Sequence, residues 1–321
     1  MVDKIKLVLV SVLLTFASGC ANKPVFTVEL YQTPTPFPMA TELPTLTAGP
    51  LPTFPPSATS APILNPAATI DSEKALMSPD FSPILYGRKY DANTFFTLLG
   101  GVQAGKWLTP EEASAQFSGD WDYDVHTLAS GSFQVHAFAP EFSPVNQGYF
   151  LGTDVSLDET GMVGVLHGWP VQKRDVRALS PDSENYRRIV LDWLKNRGIA
   201  APQLKRLSIF RVDLEGDGTD EIFISATNLD ESQHGVNSGD YSIVLLRKVV
   251  ENDVMTLSVT GDVYLAPTAP GDFPQTYSLA NFIDLNQDGV LEVVVDFQRW
   301  EGDGALVYQV DGQEIIQLFG E

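Results

Sequence analysis

The chain has 321 residues, 44% of them hydrophobic, with 41 acidic against 20 basic side chains and a net charge of −21. That length holds one large or two medium domains, and the apolar content is enough for a genuine core. So acidic a chain excludes a nucleic-acid partner, which needs a basic footprint, and a single cysteine excludes both an internal disulfide and a thiolate metal cage.

At the start of the chain, Lys4 and Lys6 precede an apolar run, Leu7 to Phe16, which is too short to cross a bilayer as a permanent helix. Ala17-Ser18-Gly19-Cys20 follows, small residues ending in the sole cysteine. This stretch resembles a bacterial lipoprotein signal peptide with its lipobox. The resemblance implies a signal peptide over residues 1–19, cleavage before Cys20, and a lipid on the Cys20 sulfur. It places the protein on the extracytoplasmic face of the cell membrane, held by acyl chains that each bury many methylenes at ~0.8 kcal/mol apiece. Residues 20–80 then read as a disordered tether. Residues 24 to 66 carry 11 of the 22 prolines, which fix φ and remove donors, so neither helix nor sheet propagates. At ~3.1 Å per residue, such a polyproline II spacer spans roughly 130 Å when extended.

Order begins near Phe81, and residues 81–179 read as mostly β. Phe95 to Leu99 is an apolar strand before Gly100-Gly101. Thr109-Pro110-Glu111-Glu112 combines a cap, a proline at the first helical position and early acids, predicting a short helix to Phe117. Asp122 to Leu128 and Phe133 to Phe138 alternate as a hairpin about Ala129-Ser130-Gly131, and Tyr149 to Leu157 with Met162 to Leu166 read as another. Gly100 to Lys106 matches most of a phosphate-binding loop, but Trp107 stands where a magnesium-holding hydroxyl belongs, so the stretch reads as a turn. The four histidines, His126, His136, His167 and His234, have no metal-ligand spacing, although His126 and His136 fall on neighbouring strands.

Residues 180–321 open on the clearest helix, about 181–197. Ser180 caps it, Pro181 fits its first position, and Tyr186, Ile189, Val190, Trp193 and Leu194 form an apolar stripe ended by Gly198. Strands follow at Leu207–Val212, Ile222–Thr227, Tyr241–Val249, Met255–Ala266, Ser278–Ile283, Leu291–Phe297, Ala305–Val310 and Glu314–Phe319. Hairpin turns are expected at Asp311-Gly312 and Gly302-Asp303-Gly304.

Two acidic loops lie between these strands. One runs Asp213-Leu-Glu215-Gly-Asp217-Gly218-Thr219-Asp-Glu221, the other Asp284-Leu-Asn286-Gln-Asp288-Gly289-Val290-Leu-Glu292. Oxygen side chains at positions 1, 3 and 5, glycine at 6 and a carboxylate at 9 suit a hard cation such as Ca²⁺, which takes six to eight oxygens from a flexible loop. Position 12 is Ile224 or Val295, inside β-rich sequence, so neither loop is an EF-hand. The pattern resembles the calcium loops of FG-GAP/VCBS repeats, the blade units of integrin-type propellers. The resemblance implies ligands at Asp284, Asn286, Asp288, the Val290 carbonyl and Glu292. In the first loop it implies Asp213, Glu215, Asp217, the Thr219 carbonyl and Glu221. Glu215 and the position-9 glutamates depart from the shorter residues usual in that family. Two units cannot close a propeller of 4–8 blades.

The expected fold is therefore mainly β with a helical minority: a propeller-like antiparallel sheet, not closed, carrying two strand–calcium loop–strand units. The expected function is a non-enzymatic surface lipoprotein with structural Ca²⁺ and a protein or glycan partner. The rival readings are an extracytoplasmic hydrolase using acids with His126, His136 or His167, and a substrate-capturing lipoprotein serving a transporter.

Overall fold

The computed structural model describes residues 80–90, 93–128, 131–153, 155–230, 235–251, 253–268, 273–300 and 302–320. The signal peptide, Cys20 and the proline-rich stretch lie outside them, as do His234 and the turn residues Ala129 and Ser130. Among the described residues no helix is long and apolar enough to cross a membrane.

Among the described residues the protein is mainly β, built as three antiparallel sheets with two short helices, and no sheet closes. In chain order the first part holds β1 (Phe81–Tyr90), β2 (Asn93–Gln103), β3 (Lys106–Leu108), α1 (Pro110–Ser114), β4 (Trp121–Thr127), β5 (Gly131–Ala137), β6 (Glu141–Ser143), β7 (Gly148–Gly152) and β8 (Met162–Leu166). These form one eight-stranded sheet in the order β5-β4-β8-β1-β2-β7-β6, with β3 beside β2. A single bridge between Ala137 and Thr153 curls β5 towards β7 without closing the sheet. The expected α1 cap is present in full: Thr109 Oγ1 accepts from the Glu112 amide at 3.3 Å, and Glu112 accepts from the Thr109 amide at 2.9 Å.

The second part comprises β9 (Arg177–Leu179), α2 (Glu184–Asn196), β10 (Arg206–Val212), β11 (Glu221–Thr227), β12 (Tyr241–Val250) and β13 (Asp253–Val263). It continues with β14 (Thr276–Ile283), β15 (Glu292–Arg299), β16 (Gly302–Asp311) and β17 (Glu314–Phe319). The second sheet runs β13-β12-β11-β10-β9 and the third β14-β15-β16-β17. Apart from β9, both are four-strand meanders with an acidic loop between their first two strands, β10–β11 and β14–β15.

Alternation along each strand decides how the sheets stack. In β15, Val293, Val295 and Phe297 join Phe223, Val244 and Leu246 of the second sheet in one core. Val294 faces the other way and packs with Ile84, Tyr86, Val163 and Val165 of the first sheet. The third sheet is thus buried on both faces, which accounts for the near-continuous apolar run of β15. Helix α2 covers the outer face of the second sheet, Val190 and Leu194 packing on Ile209, Ile224 and Tyr241. The other side of the first sheet holds its own core about Leu85, Phe96, Tyr123 and Met162, with Ala113 of α1.

Several expectations are corrected. The two acidic loops lie in two separate sheets, not in one propeller-like sheet. Strands β7 and β8 do not pair with each other: β7 lies between β2 and β6, and β8 between β4 and β1. Helix α2 starts at Glu184, because Ser180 closes a turn ahead of it; its oxygens accept from the Asp182 and Ser183 amides. Trp193, by contrast, packs against the α2 core as its place in the apolar stripe implies, half-buried beneath the Arg197 guanidinium at 4.6 Å. The last hairpin turns at Gly312-Gln313, with Asp311 paired to Glu314. Gly304 is not in a turn but pairs within the ladder with Phe297, whose ring covers it.

Candidate functional site

The two acidic loops share one backbone. The fourth and sixth residues of each are left-handed: Gly216 (φ 74°) and Gly218 (φ 88°) in the first, Gln287 (φ 67°) and Gly289 (φ 87°) in the second. Four hydrogen bonds recur in both loops, while the position-5 amides differ: Asp217 donates to Asp213 at 3.2 Å and Asp288 to the Asn286 side chain at 3.0 Å. Asp213 accepts from the Gly216 and Gly218 amides at 2.6 and 2.9 Å, and Asp284 from the Gln287 and Gly289 amides at 2.7 and 3.1 Å. Asp217 accepts from the Thr219 amide at 2.7 Å, and Asp288 from the Val290 amide at 2.8 Å. The closing glutamates reach back alike, Glu221 to the Leu214 amide at 2.9 Å and Glu292 to the Leu285 amide at 2.7 Å.

These bonds explain how each loop holds its shape from its own residues. They do not satisfy every group. Glu292 is fully buried, its Oε2 takes the Leu285 amide, and its Oε1 has no hydrogen-bond partner. Burial, with Asp288 and Asp284 beside it, pushes the Glu292 carboxyl up to about 8. Asp284, also fully buried, is raised by burial too. Asn286 and Asp288 are turned on each other, Nδ2 donating to Oδ2 at 2.9 Å. Among the described residues no group of three or more His, Cys, Asp or Glu side chains is arranged to hold a metal ion. The second loop therefore presents two buried carboxylates, with Asp288 and Asn286 engaged at its rim.

In the first loop Asp213 is only half-buried, while Glu221 is 2% exposed. Burial pushes Glu221 up to about 7; the Glu215 carboxylate adds to the shift and the Lys248 ammonium opposes it. Glu215 ion-pairs with Lys248 at 2.5 Å.

A strap between β8 and β9 binds both loops. The Trp169 indole donates to the Leu285 carbonyl at 3.0 Å. Arg174 donates to the Asp213 and Leu214 carbonyls of the first loop and to the Gly289 carbonyl of the second. A side chain at Gly216 would strike that guanidinium, its Cβ meeting Nη2. The Leu291 amide also donates to the Leu214 carbonyl at 3.0 Å, so the loops touch directly. Arg174→Ala is expected to cost about 2 kcal/mol, since it removes a charged donor shared by three carbonyls, of which Leu214's keeps the Leu291 amide. The denaturation midpoint and faster amide exchange at Leu291 are the readouts; unchanged exchange there would deny Arg174 this role.

The three described histidines do not assemble into a metal-holding group. On the β4–β5 ladder His126 stands opposite Ser132 and His136 opposite Asp122, so they do not face each other. His136 pairs with Asp122 at 2.8 Å and His167 with Asp124 at 2.9 Å. His126 is buried with neither ring nitrogen hydrogen-bonded, and burial lowers it to about 4. A shallow groove of about 190 Å³ lies where β10 and β11 meet β14 and β15, smaller than the ~300–1,000 Å³ of ligand pockets. Its one carboxylate, Asp296, already accepts from Tyr86 and Arg88.

Sequence reasoning missed Arg174 and Lys248. Lys248 had a signal: it follows Arg247 inside the apolar run of β12 and is itself 6% exposed. No protein-family model matches the chain, and no curated protein or solved structure matches it. The likeness to FG-GAP/VCBS loops rests on the loops' own residues.

Proposed function

We propose that the chain is a lipid-anchored extracytoplasmic lipoprotein whose β ectodomain is fastened by structural calcium and offers its outer surface to a protein or glycan partner. The observation that carries the calcium reading is Glu292 Oε1, a fully buried carboxylate oxygen with no partner, beside the buried Asp284. A buried anion without compensation is costly, and an oxygen-preferring divalent cation answers it. Asp284, Asn286, Asp288, the Val290 carbonyl and Glu292 are the residues that would hold the ion. Asn286 and Asp288 would exchange their mutual hydrogen bond for it. Calcium supplies neutralisation of the clustered carboxylates and adds stability by binding only the folded loop.

Cys20 and its small-residue neighbours support the anchor. The two meanders, their loops 71 residues apart, are read as blade-like units in an open stack. At free calcium ~100-fold above its dissociation constant the ion contributes about 2.7 kcal/mol. Chelation is then expected to lower the melting temperature by about 5–10 °C, and added calcium to restore it. A melting curve indifferent to both, with no calorimetric calcium binding, would remove the reading.

A further inference from the structure

The loops share a backbone but differ in what stands beside the closing glutamate. On the β11–β12 ladder Ile222 pairs with Arg247, so the next step sets Lys248 beside Glu221. On the β15–β16 ladder Val293 pairs with Tyr308, so the same step sets Gln309 beside Glu292. The corresponding place is thus filled by a cation in one unit and by a neutral amide in the other.

Lys248 is committed to the first loop. It is 6% exposed, and its Nζ lies 2.5 Å from Glu215 Oε1. Glu215 is the third-position residue whose extra methylene departs from the usual loop pattern; here that length reaches the ammonium. A divalent ion entering this loop would meet a buried like charge and would have to displace it from its partner. The second loop has no such occupant. Among the described residues no lysine or arginine ion-pairs with Asp284, Asp288 or Glu292. Arg174, which reaches that loop, donates to its Gly289 carbonyl. Glu292 Oε1 remains buried and unpartnered, an observation independent of the acidic pattern and one that points to a missing ligand.

We propose that the chain takes one divalent cation, at Asp284 to Glu292, and that in the first loop the Lys248 ammonium stands permanently in the ion's place. The proposal rests on the calcium reading above and sharpens it from two candidate sites to one. It gives the loops different duties. The first is closed at any calcium level, and through Arg174 and the Leu291–Leu214 hydrogen bond it holds its neighbour in position. Only the second responds to the ion.

The test is the calcium stoichiometry of the full chain, measured by equilibrium dialysis with radiolabelled calcium, together with thermal melting. Wild type is expected to bind one ion, Glu221→Gln still one, and Glu292→Gln none. Lys248→Met is expected to gain a second ion, and Lys248→Arg, which keeps the charge, to stay at one. Two ions on wild type, or one that is lost in Glu221→Gln and kept in Glu292→Gln, would overturn the assignment while leaving calcium binding intact. A folded Lys248→Met still at one ion would overturn the role given to Lys248. No ion on wild type would overturn the calcium reading and this inference together. If Lys248→Met fails to fold, the contrast between Glu221→Gln and Glu292→Gln decides the assignment without it.

Discussion

Glu292→Gln is expected to stabilise the calcium-free protein at alkaline pH and to make it indifferent to calcium. The Glu292 carboxyl is raised to about 8 by burial and by the nearby Asp288 and Asp284. An unfolded glutamate releases its proton near ~4.3. Between those values the folded, calcium-free chain holds a proton that the unfolded chain has lost. Its stability therefore falls as pH rises through that window and levels off above about 8. At ~1.36 kcal/mol per pH unit, the whole fall is on the order of 5 kcal/mol. Glutamine carries no titrating group, still offers an oxygen to the Leu285 amide, and places a donor where Oε1 has none. Its calcium-free melting temperature should decline less steeply than the wild type's across this range, the fall that remains coming from Glu221 and Asp284, which burial also raises. Calcium acts in the opposite sense in the wild type, displacing the proton, so its effect grows with pH up to about 8. Melting near pH 6 and near pH 9, with chelator and with calcium, checks both halves. A variant that declines as steeply as wild type, or keeps the calcium response, would show that another group is responsible.

Arg88→Met is expected to cost about 3–5 kcal/mol, the usual penalty for stranding a buried charge partner. Arg88 of β1 ion-pairs with Asp296 of β15 and Asp303 of β16, joining the first sheet to the third; the three side chains are 16%, 16% and 22% exposed. The Tyr86 hydroxyl donates to the same Asp296 at 2.7 Å, and burial first, with Asp303, pushes that phenol up to about 12, so it remains a donor. Methionine keeps most of the stem volume, so the loss reports charge pairing more than packing. Adding Asp296→Asn should recover part of the loss, because one stranded carboxylate is then neutral. A loss under about 1 kcal/mol in urea denaturation would place this cluster with ordinary surface ion pairs.

The sequence was most legible where local signals and burial agree. The alternation of β10, the apolar runs of β11, β12 and β15, and the cap at Thr109 all emerge at or near their expected positions. The loops were legible because Asp213 and Asp284 shape their own backbone within five residues. Strand β1 was not, because Pro83, Gly87 and the Arg88-Lys89 pair break its apolar pattern. Pro83 is accommodated next to a register shift between Ile84 and Leu85, where a missing donor costs least. The pairing of β7 and β8 was misjudged because a short loop favours a hairpin, whereas β8 gains more by entering between β4 and β1. Lys248 beside Glu221 follows only from the β11–β12 register, which no local pattern states.

The place of β1 in the first sheet has a mechanical consequence. It is flanked by β2 along its whole length and by β8 at Leu85 to Gly87. A pull applied at Phe81 along the axis of this strand is taken up by β1 itself. Its hydrogen bonds to the two neighbours are then loaded together, in shear, with Arg88 as a bolt into the third sheet. An edge strand such as β6 or β13 would instead unzip one bond at a time. The chain thus meets tension at one of its best-braced strands.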